Sequence, residues 1–307
     1  MAAERRFRAM GSRAHVIVVG GPAGLADAAA TRIEQLEGLW SRFRPGSDTS
    51  RLNLAAGTRV RVAPETVELV ERAVEGWRLS AGAFDPTLLG PVIRAGYDRT
   101  FDLIPARARP GRSDAQPACA GIETGPGWVR LPAGSGFDPG GIGKGLAADI
   151  VSAELLVAGA RGACVNLGGD LRVAGEAPGG GTWTVAVEHP GSPEPIALLG
   201  LARGAVATST TLRRRWRVDG ERRHHLIDPR TGAPSATGVD LAAVVSGEAW
   251  LAEVLAKAVL MAGWRGESGV LAGTGAEALT VAAGGRVHTT PGLAAFLGGA
   301  VPLAAVS

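Results

Sequence analysis

Three groups of residues in this 307-residue chain have the types and spacing to do chemistry. The first is Asp138-Pro139-Gly140-Gly141-Ile142-Gly143-Lys144-Gly145, in which four glycines stand among eight residues with one acid and one amine. Glycine lets a backbone approach a ligand closely. Leu146, Ile150, Ala153 and Val157 follow at helical spacing. The run therefore predicts a loop opening onto a helix N-terminus, where unsatisfied N–H groups and the macrodipole favour an anion. It is not a Walker A loop, because Asp138 stands where the first Gly belongs and Gly145 where a Ser or Thr belongs. The glycine offsets do not fit the dinucleotide fingerprint either.

The second group is His224-His225-Leu226-Ile227-Asp228-Pro229-Arg230-Thr231-Gly232, which holds two of the five histidines. Strand alternation puts His224 and His225 on opposite faces, so at most one points into a given site. A single strand histidine is more often structural than catalytic, but the adjoining Arg and turn amides suit a phosphate. The third group is Glu253 and Lys257, the only charges after the first turn of a segment, 248–263, that is apolar almost all round. They stand at i,i+4 and share a helical face. Buried charges must be paired or serve a ligand. Two readings stay open here: a self-satisfied pair, or a pair facing a polar cavity. Lysine is also scarce, since Lys144 and Lys257 are the only lysines among 32 basic residues. In an arginine-rich background, a retained lysine points to a need for a compact ammonium rather than a planar guanidinium.

The elements that must position these groups follow from periodicity. Residues 7–20 read as a buried strand through His15-Val16-Ile17-Val18-Val19. Residues 23–43 place Leu25, Ala29, Ile33, Leu36, Trp40 and Phe43 on one helical face, and Pro45-Gly46 is the stop signal. Pro64-Glu65 opens a second helix with Val67, Val70, Val74 and Trp77 as its stripe. Gly82 to Thr87 is turn-rich, and an ordinary Asp-Pro turn or cap explains Asp85 and Thr87. Residues 102–136 read as an irregular surface excursion. Residues 163–171 are a strand broken by Gly168-Gly169. Strands are predicted at 183–188, 196–201, 213–218, 224–227 and 239–246, then a helix at 248–263 and a strand at Leu279-Thr280-Val281. This order predicts an α+β fold, a single domain over 1–307 with antiparallel or mixed sheets flanked by helices.

Composition excludes several classes. The net charge is only +3, and one Tyr and six Phe are too few to interleave a basic stripe, so no nucleic-acid partner is expected. Arg213-Arg214-Arg215 reads as a solvated strand edge. No apolar stretch approaches the length of a membrane span, and Met1 to Arg6 leads directly into strand-like residues. No membrane insertion and a cytoplasmic location are therefore expected. Cys119 and Cys164 lack disulfide or zinc spacing.

Taken in order, the segments resemble the ApbE-type FAD:protein FMN transferase family over residues 7–262. The matching blocks are Ala9-Met10-Gly11-Ser12, Ser41-Arg42-Phe43 with Ser50-Arg51-Leu52-Asn53, and Ala83-Phe84-Asp85-Pro86-Thr87. They continue with Asp138 to Gly145, Asn166-Leu167-Gly168-Gly169-Asp170, Ala207-Thr208-Ser209, and His225 to Gly232. The resemblance implies an α+β fold, FAD bound in a cleft, and a divalent metal, usually magnesium, against the pyrophosphate. FMN would pass to a Thr or Ser hydroxyl of a target protein, and AMP would leave. By match, Met10 and Phe43 would pack on the flavin or adenine, and Ala83, Phe84 and Asp85 would line the nucleotide pocket. Asp138 would hydrogen-bond the cofactor, Ile227 would contact it, and the Gly141 carbonyl would be a metal ligand. Lys144 would stabilise charge on the pyrophosphate, and His225 would accept the hydroxyl proton.

The chain departs from that pattern where the family carries Asp and, four residues later, Thr as further metal ligands. Glu253 and Lys257 hold those positions. Glu can still bind magnesium through oxygen, whereas an ammonium has donors only. Either the metal binds in a shifted way, or the Lys257 ammonium takes its place. Thr210 also stands where the family more often has Gly. The activity expected is therefore FMN transfer, with an FAD-binding protein or FAD pyrophosphatase as the alternative.

Overall fold

The computed structural model describes residues 2–297. Strands β1 (Ala2–Ala9) and β2 (Ser12–Val19) pair as a hairpin whose two turn residues, Met10 and Gly11, both have positive φ, 49° and 66°. Positive φ at both positions matches the right-handed twist of a two-residue hairpin. Residues 7–20 are thus two strands and not one. The reversal escapes periodicity because Met, unlike Asn or Asp, is not a turn signal. Strands β3 (Gly162–Leu167), β4 (Asp170–Gly175), β5 (Gly204–Thr210), β6 (Val239–Ser246), β7 (Glu277–Ala282) and β8 (Val287–Thr289) complete an eight-stranded sheet in sequential order. Every neighbouring pair in it is antiparallel, which is the sheet an α+β chain was expected to build.

The sheet is covered on both faces. In β6, Ala242 and Val244 face the helical layer, while Leu241, Ala243 and Val245 face a second core with the ribbon Trp183–Val187 and Ala197–Leu201. Burial on both sides explains why this strand reads as a continuous apolar run. β5 was not expected from the sequence. Its Gly204-Ala205-Val206-Ala207 start is too small to signal a strand, yet Ala205 and Ala207 are fully buried under the helices.

Helices form the other layer, and the described residues hold seven of them: α1 (Leu25–Trp40), α2 (Asp48–Leu54), α3 (Pro64–Leu79), α4 (Leu89–Arg94), α5 (Gly143–Val157), α6 (Ala249–Ala262) and α7 (Glu267–Leu271). α1 ends at Trp40, short of the Pro45-Gly46 stop, because Ser47 opens α2 by accepting a bond from the Ser50 N–H at 3.0 Å. A seven-residue helix is too short to show periodicity. Its Asn53 forms a two-way bond with the Phe137 backbone, at 2.9 and 2.7 Å, and so anchors the chain entering Asp138. The excursion over 102–136 is not merely surface. Arg59–Arg61, Trp128–Arg130 and Glu123–Gly125 make a small antiparallel sheet, and Val129 and Leu131 are buried core residues. Strands of three residues carry no alternation to read.

α5 also turns differently from its expected stripe. Leu146, Val151 and Leu155 are buried with Ala147 and Ala148, whereas Ala153 is exposed and Val157 is 89% exposed. Alanines carry the contact because α5 runs very close to α6. A Cβ on Gly145 would lie 2.3 Å from the Ala249 carbonyl oxygen, so this glycine serves helix–helix approach and not ligand approach. From the same helix, the Asp149 carboxylate accepts the N–H groups of Ala249 and Trp250, each at 2.9 Å. It thereby caps α6, whose own N-cap residue Glu248 makes no side-chain cap. Burial pushes Asp149 up to about 6, against the opposing pull of these two amides.

Two substitutions test this joint. Asp149→Ala removes the cap and should cost about 1–2 kcal/mol, read as a Tm lower by a few degrees. Gly145→Ala must force the helices apart and should cost about 1–3 kcal/mol. An unchanged Tm in either variant would refute the corresponding contact.

Candidate functional site

The hairpin turn, the end of α1, residues 83–102, the 138–144 turn and the inner face of α6 enclose one cavity of about 350 Å³. Met10, Phe43, Ala83, Phe84, Asp85, Asp138, Gly141, Lys144, His225, Ile227 and Lys257 all line it. Glu253 is the one expected residue that does not; it lies fully buried behind the lysines. The apolar wall is aromatic. Phe43 lies 6.0 Å from Tyr97, and the Arg42 guanidinium sits 4.2 Å over the Phe43 ring. Met10 is held at the rim by its N–H, which donates to Glu37 at 2.8 Å.

Another part of the lining is ionic. Lys144, in the first turn of α5, donates to Asp170 and lies 3.5 Å from Glu253 Oε1. Lys257 donates to the same Oε1 at 3.1 Å, and the Gly145 N–H donates to Oε2 at 2.8 Å. Burial pushes the Glu253 carboxyl up, but Lys257, Lys144 and the Gly145 amide outweigh it and hold it below its ordinary value. Burial, joined by the Lys257 and Arg214 charges, pulls Lys144 down to about 8 against the pull of Glu253. The anion expected at the α5 N-terminus is therefore first of all the protein's own Glu253.

Asp170 was quoted in the sequence blocks without a role. The β3–β4 hairpin turns at Gly168 and Gly169, both at positive φ, with Asn166 Oδ1 accepting the Gly169 N–H at 2.9 Å. That turn presents Asp170, 2% exposed, to Lys144. Asp138 caps its own turn by accepting the Gly140 N–H at 2.9 Å and pairs with Arg42 at 3.2 Å. Asp85 accepts the Thr87 N–H at 2.7 Å, the turn geometry read from its sequence, and still lines the cavity.

The two histidines diverge, although the strand ends at His224 (Glu221–His224) and not at Ile227. His224 Nε2 bonds to the Ser235 carbonyl oxygen at 3.1 Å. His225 lines the cavity, and its buried Nδ1 has no hydrogen-bond partner among the described residues. Burial first, then Arg214, Lys257, His224 and Lys144, hold its pKa well below 6.5. It is neutral at pH 7 and can take up a proton.

Arg214 corrects the reading of the triple arginine as a solvated edge. It sits at φ 50°, lines the cavity, and donates to the Gly11 carbonyl oxygen at 3.1 Å and to the Tyr97 hydroxyl at 3.4 Å. Its signal was a turn conformation, which three identical letters do not show. The residues expected as metal ligands do not fit a divalent cation as arranged. Both Glu253 oxygens are engaged, Lys257 offers only donors, and its stem packs beside Gly141, where a Cβ would lie 3.2 Å from Lys257 Cδ.

An aromatic wall facing an ammonium-lined floor suits a flat ring system joined to an anion, and the comparisons with known proteins agree. The ApbE family pattern matches residues 10–280. A FAD:protein FMN transferase of Treponema pallidum is 31% identical over 284 residues, covering 86% of this chain and 78% of that protein. One from Rhodobacter capsulatus is 29% identical over 271 residues, covering 84% of this chain and half of that longer protein. The crystal structure of the ApbE protein of Thermotoga maritima superposes with a TM-score of 0.87 at 28% identity, covering 96% of this chain and 99% of that one. By sequence and by fold, this chain belongs to the ApbE family.

Proposed function

We propose that the protein transfers FMN from FAD to a Thr or Ser hydroxyl of an acceptor protein, releasing AMP. The observation that carries this reading is the single cavity in which an aromatic wall meets Lys144 and Lys257 beside a neutral histidine. The acceptor oxygen attacks the FMN-side phosphorus; a new P–O bond forms as the phosphoanhydride bond breaks, and AMP leaves with the bridging oxygen. The hydroxyl proton passes to a ring nitrogen of His225. Charge on the pyrophosphate is neutralised by the lysines in a site where low dielectric strengthens the interaction.

Burial first, and then cationic neighbours, depress His225 in the free protein. A bound pyrophosphate opposes those charges and raises the histidine toward neutral pH, where a base is most effective. In this reading Met10 and Phe43 pack on the flavin or adenine, Ala83, Phe84, Asp85 and Ile227 line the nucleotide, and Asp138 accepts a hydrogen bond from it. No described helix is long and apolar enough to cross a membrane. A cytoplasmic location is part of the proposal and is checked by cell fractionation.

Purified protein incubated with FAD and a threonine-bearing acceptor should yield a fluorescent flavin band on the acceptor. FAD that binds without transfer, or that is cleaved to free FMN and AMP, would replace this reading with a binding protein or a pyrophosphatase. His225→Gln should keep FAD binding and lose transfer by about 10²–10⁴-fold; an unchanged rate removes the histidine from the proton step. FAD affinity should also weaken as pH rises through about 8, because the Lys144 ammonium is present below that pH and lost above it. Lys144→Met should bind FAD more weakly and show no such step, which a pH series of binding titrations reads directly.

A further inference from the structure

The geometry points to a pyrophosphate site that works without a divalent metal, with Lys144, Lys257 and Arg214 supplying the positive charge from the protein itself. This rests on the FMN transfer proposed above, since it is the FAD pyrophosphate that the three cations would face. All three line the one cavity, from three separate elements: the α5 N-terminus, the middle of α6, and the turn after β5.

Glu253 and Asp170, the acids bound to the two lysines, leave little to offer a metal. Magnesium demands near-octahedral oxygen coordination. Glu253 Oε2 is bound to the Gly145 amide, and Oε1 is shared between Lys257 at 3.1 Å and Lys144 at 3.5 Å. Asp170 is the hydrogen-bond acceptor of Lys144 and also receives the Thr208 N–H at 3.4 Å. A divalent cation among these groups would stand beside two ammoniums on the same carboxylate, where like charges repel strongly at low dielectric.

Charge balance favours the anion instead. Within this cluster, three cations against the two carboxylates Asp170 and Glu253 leave one net positive charge; of the other acids lining the cavity, Asp138 is paired with Arg42 and Asp85 is held by Thr87. Arg214 provides that net charge. Its guanidinium bonds only neutral oxygens, the Gly11 carbonyl and the Tyr97 hydroxyl, and makes no ion pair among the described residues. The two lysines hold a shared carboxylate from either side, so their remaining N–H donors are free to turn toward a pyrophosphate oxygen. Arg214 spans from its own turn to the Met10-Gly11 turn, which places a planar donor fork in the lining of the same cavity as the lysines.

The test measures FAD binding by flavin fluorescence, and transfer to the acceptor, in metal-stripped protein with EDTA or with excess magnesium. The expected result is an affinity and a rate that agree within about twofold between the two conditions, since the charge that a metal would supply is already built in. Arg214→Gln should weaken FAD binding by about tenfold or more, the loss expected for a charge-assisted bond. Lys257→Thr exchanges the ammonium for an oxygen and removes the nearer partner of Glu253 Oε1; it should bind FAD poorly in EDTA and recover with magnesium. Lys257→Met supplies no oxygen and should not recover. Circular dichroism and Tm identify any variant that misfolds, and the wild-type comparison stands without the variants. Wild-type binding or transfer that EDTA abolishes and magnesium restores would overturn the metal-free site while leaving FMN transfer intact. Failure to bind FAD under both conditions would overturn the functional reading itself, and this site with it.

Discussion

A fully buried carboxylate, Glu253, ties the functional half of the molecule together. Taking an ion out of water costs several kcal/mol even after relaxation, about 3–5 kcal/mol when a partner is removed. Glu253 offsets that cost with three donors, the Lys257 ammonium one turn along α6, the Lys144 ammonium, and the Gly145 amide at the start of α5. Each donor comes with a constraint. Gly145 must lack a side chain for the two helices to approach, and Asp149 must cap α6 for that helix to begin where it does. Helix crossing, cap and ion cluster therefore specify one another.

The rest of the fold delivers the other groups to this centre. The antiparallel sheet supplies Asp170 from the tight turn between β3 and β4, and the β1–β2 turn supplies Met10. The Asn53 bond to Phe137 fixes the segment that leads into Asp138, and Asp138 in turn holds Arg42 over Phe43. The cavity is consequently divided by chemistry. One wall is aromatic and flat, and the other carries ammoniums whose counter-charges are already in place. His225 lines the same cavity, kept neutral by burial and by positive neighbours. A polyanion entering the cavity changes the histidine's field in the direction that makes it a better base, so binding and proton transfer are coupled through electrostatics alone.

The sequence by itself determined the residue types that carry chemistry. Lys144 and Lys257 stood out because lysine is scarce, Glu253 because it shares a face with Lys257 in an apolar helix, and the His224-His225 pair because it adjoins an Asp-Pro-Arg-Thr-Gly turn. It also determined the long elements, such as β6 and α6, whose apolar runs exceed what a loop can bury. Short elements escaped it: α2 and the strands near residues 123–130 have too few residues for any period to show. Tertiary structure alone decided the partners. Asp170 meets Lys144 across 26 positions, and Glu253 meets Gly145 across 108. Arg214 left the expected solvated edge because a positive-φ turn aims it over the cavity. Residue chemistry and periodicity are local properties that a chain displays in one dimension. Which buried charge finds which donor depends on long-range packing, and that is settled only when the helices and sheet close on one another.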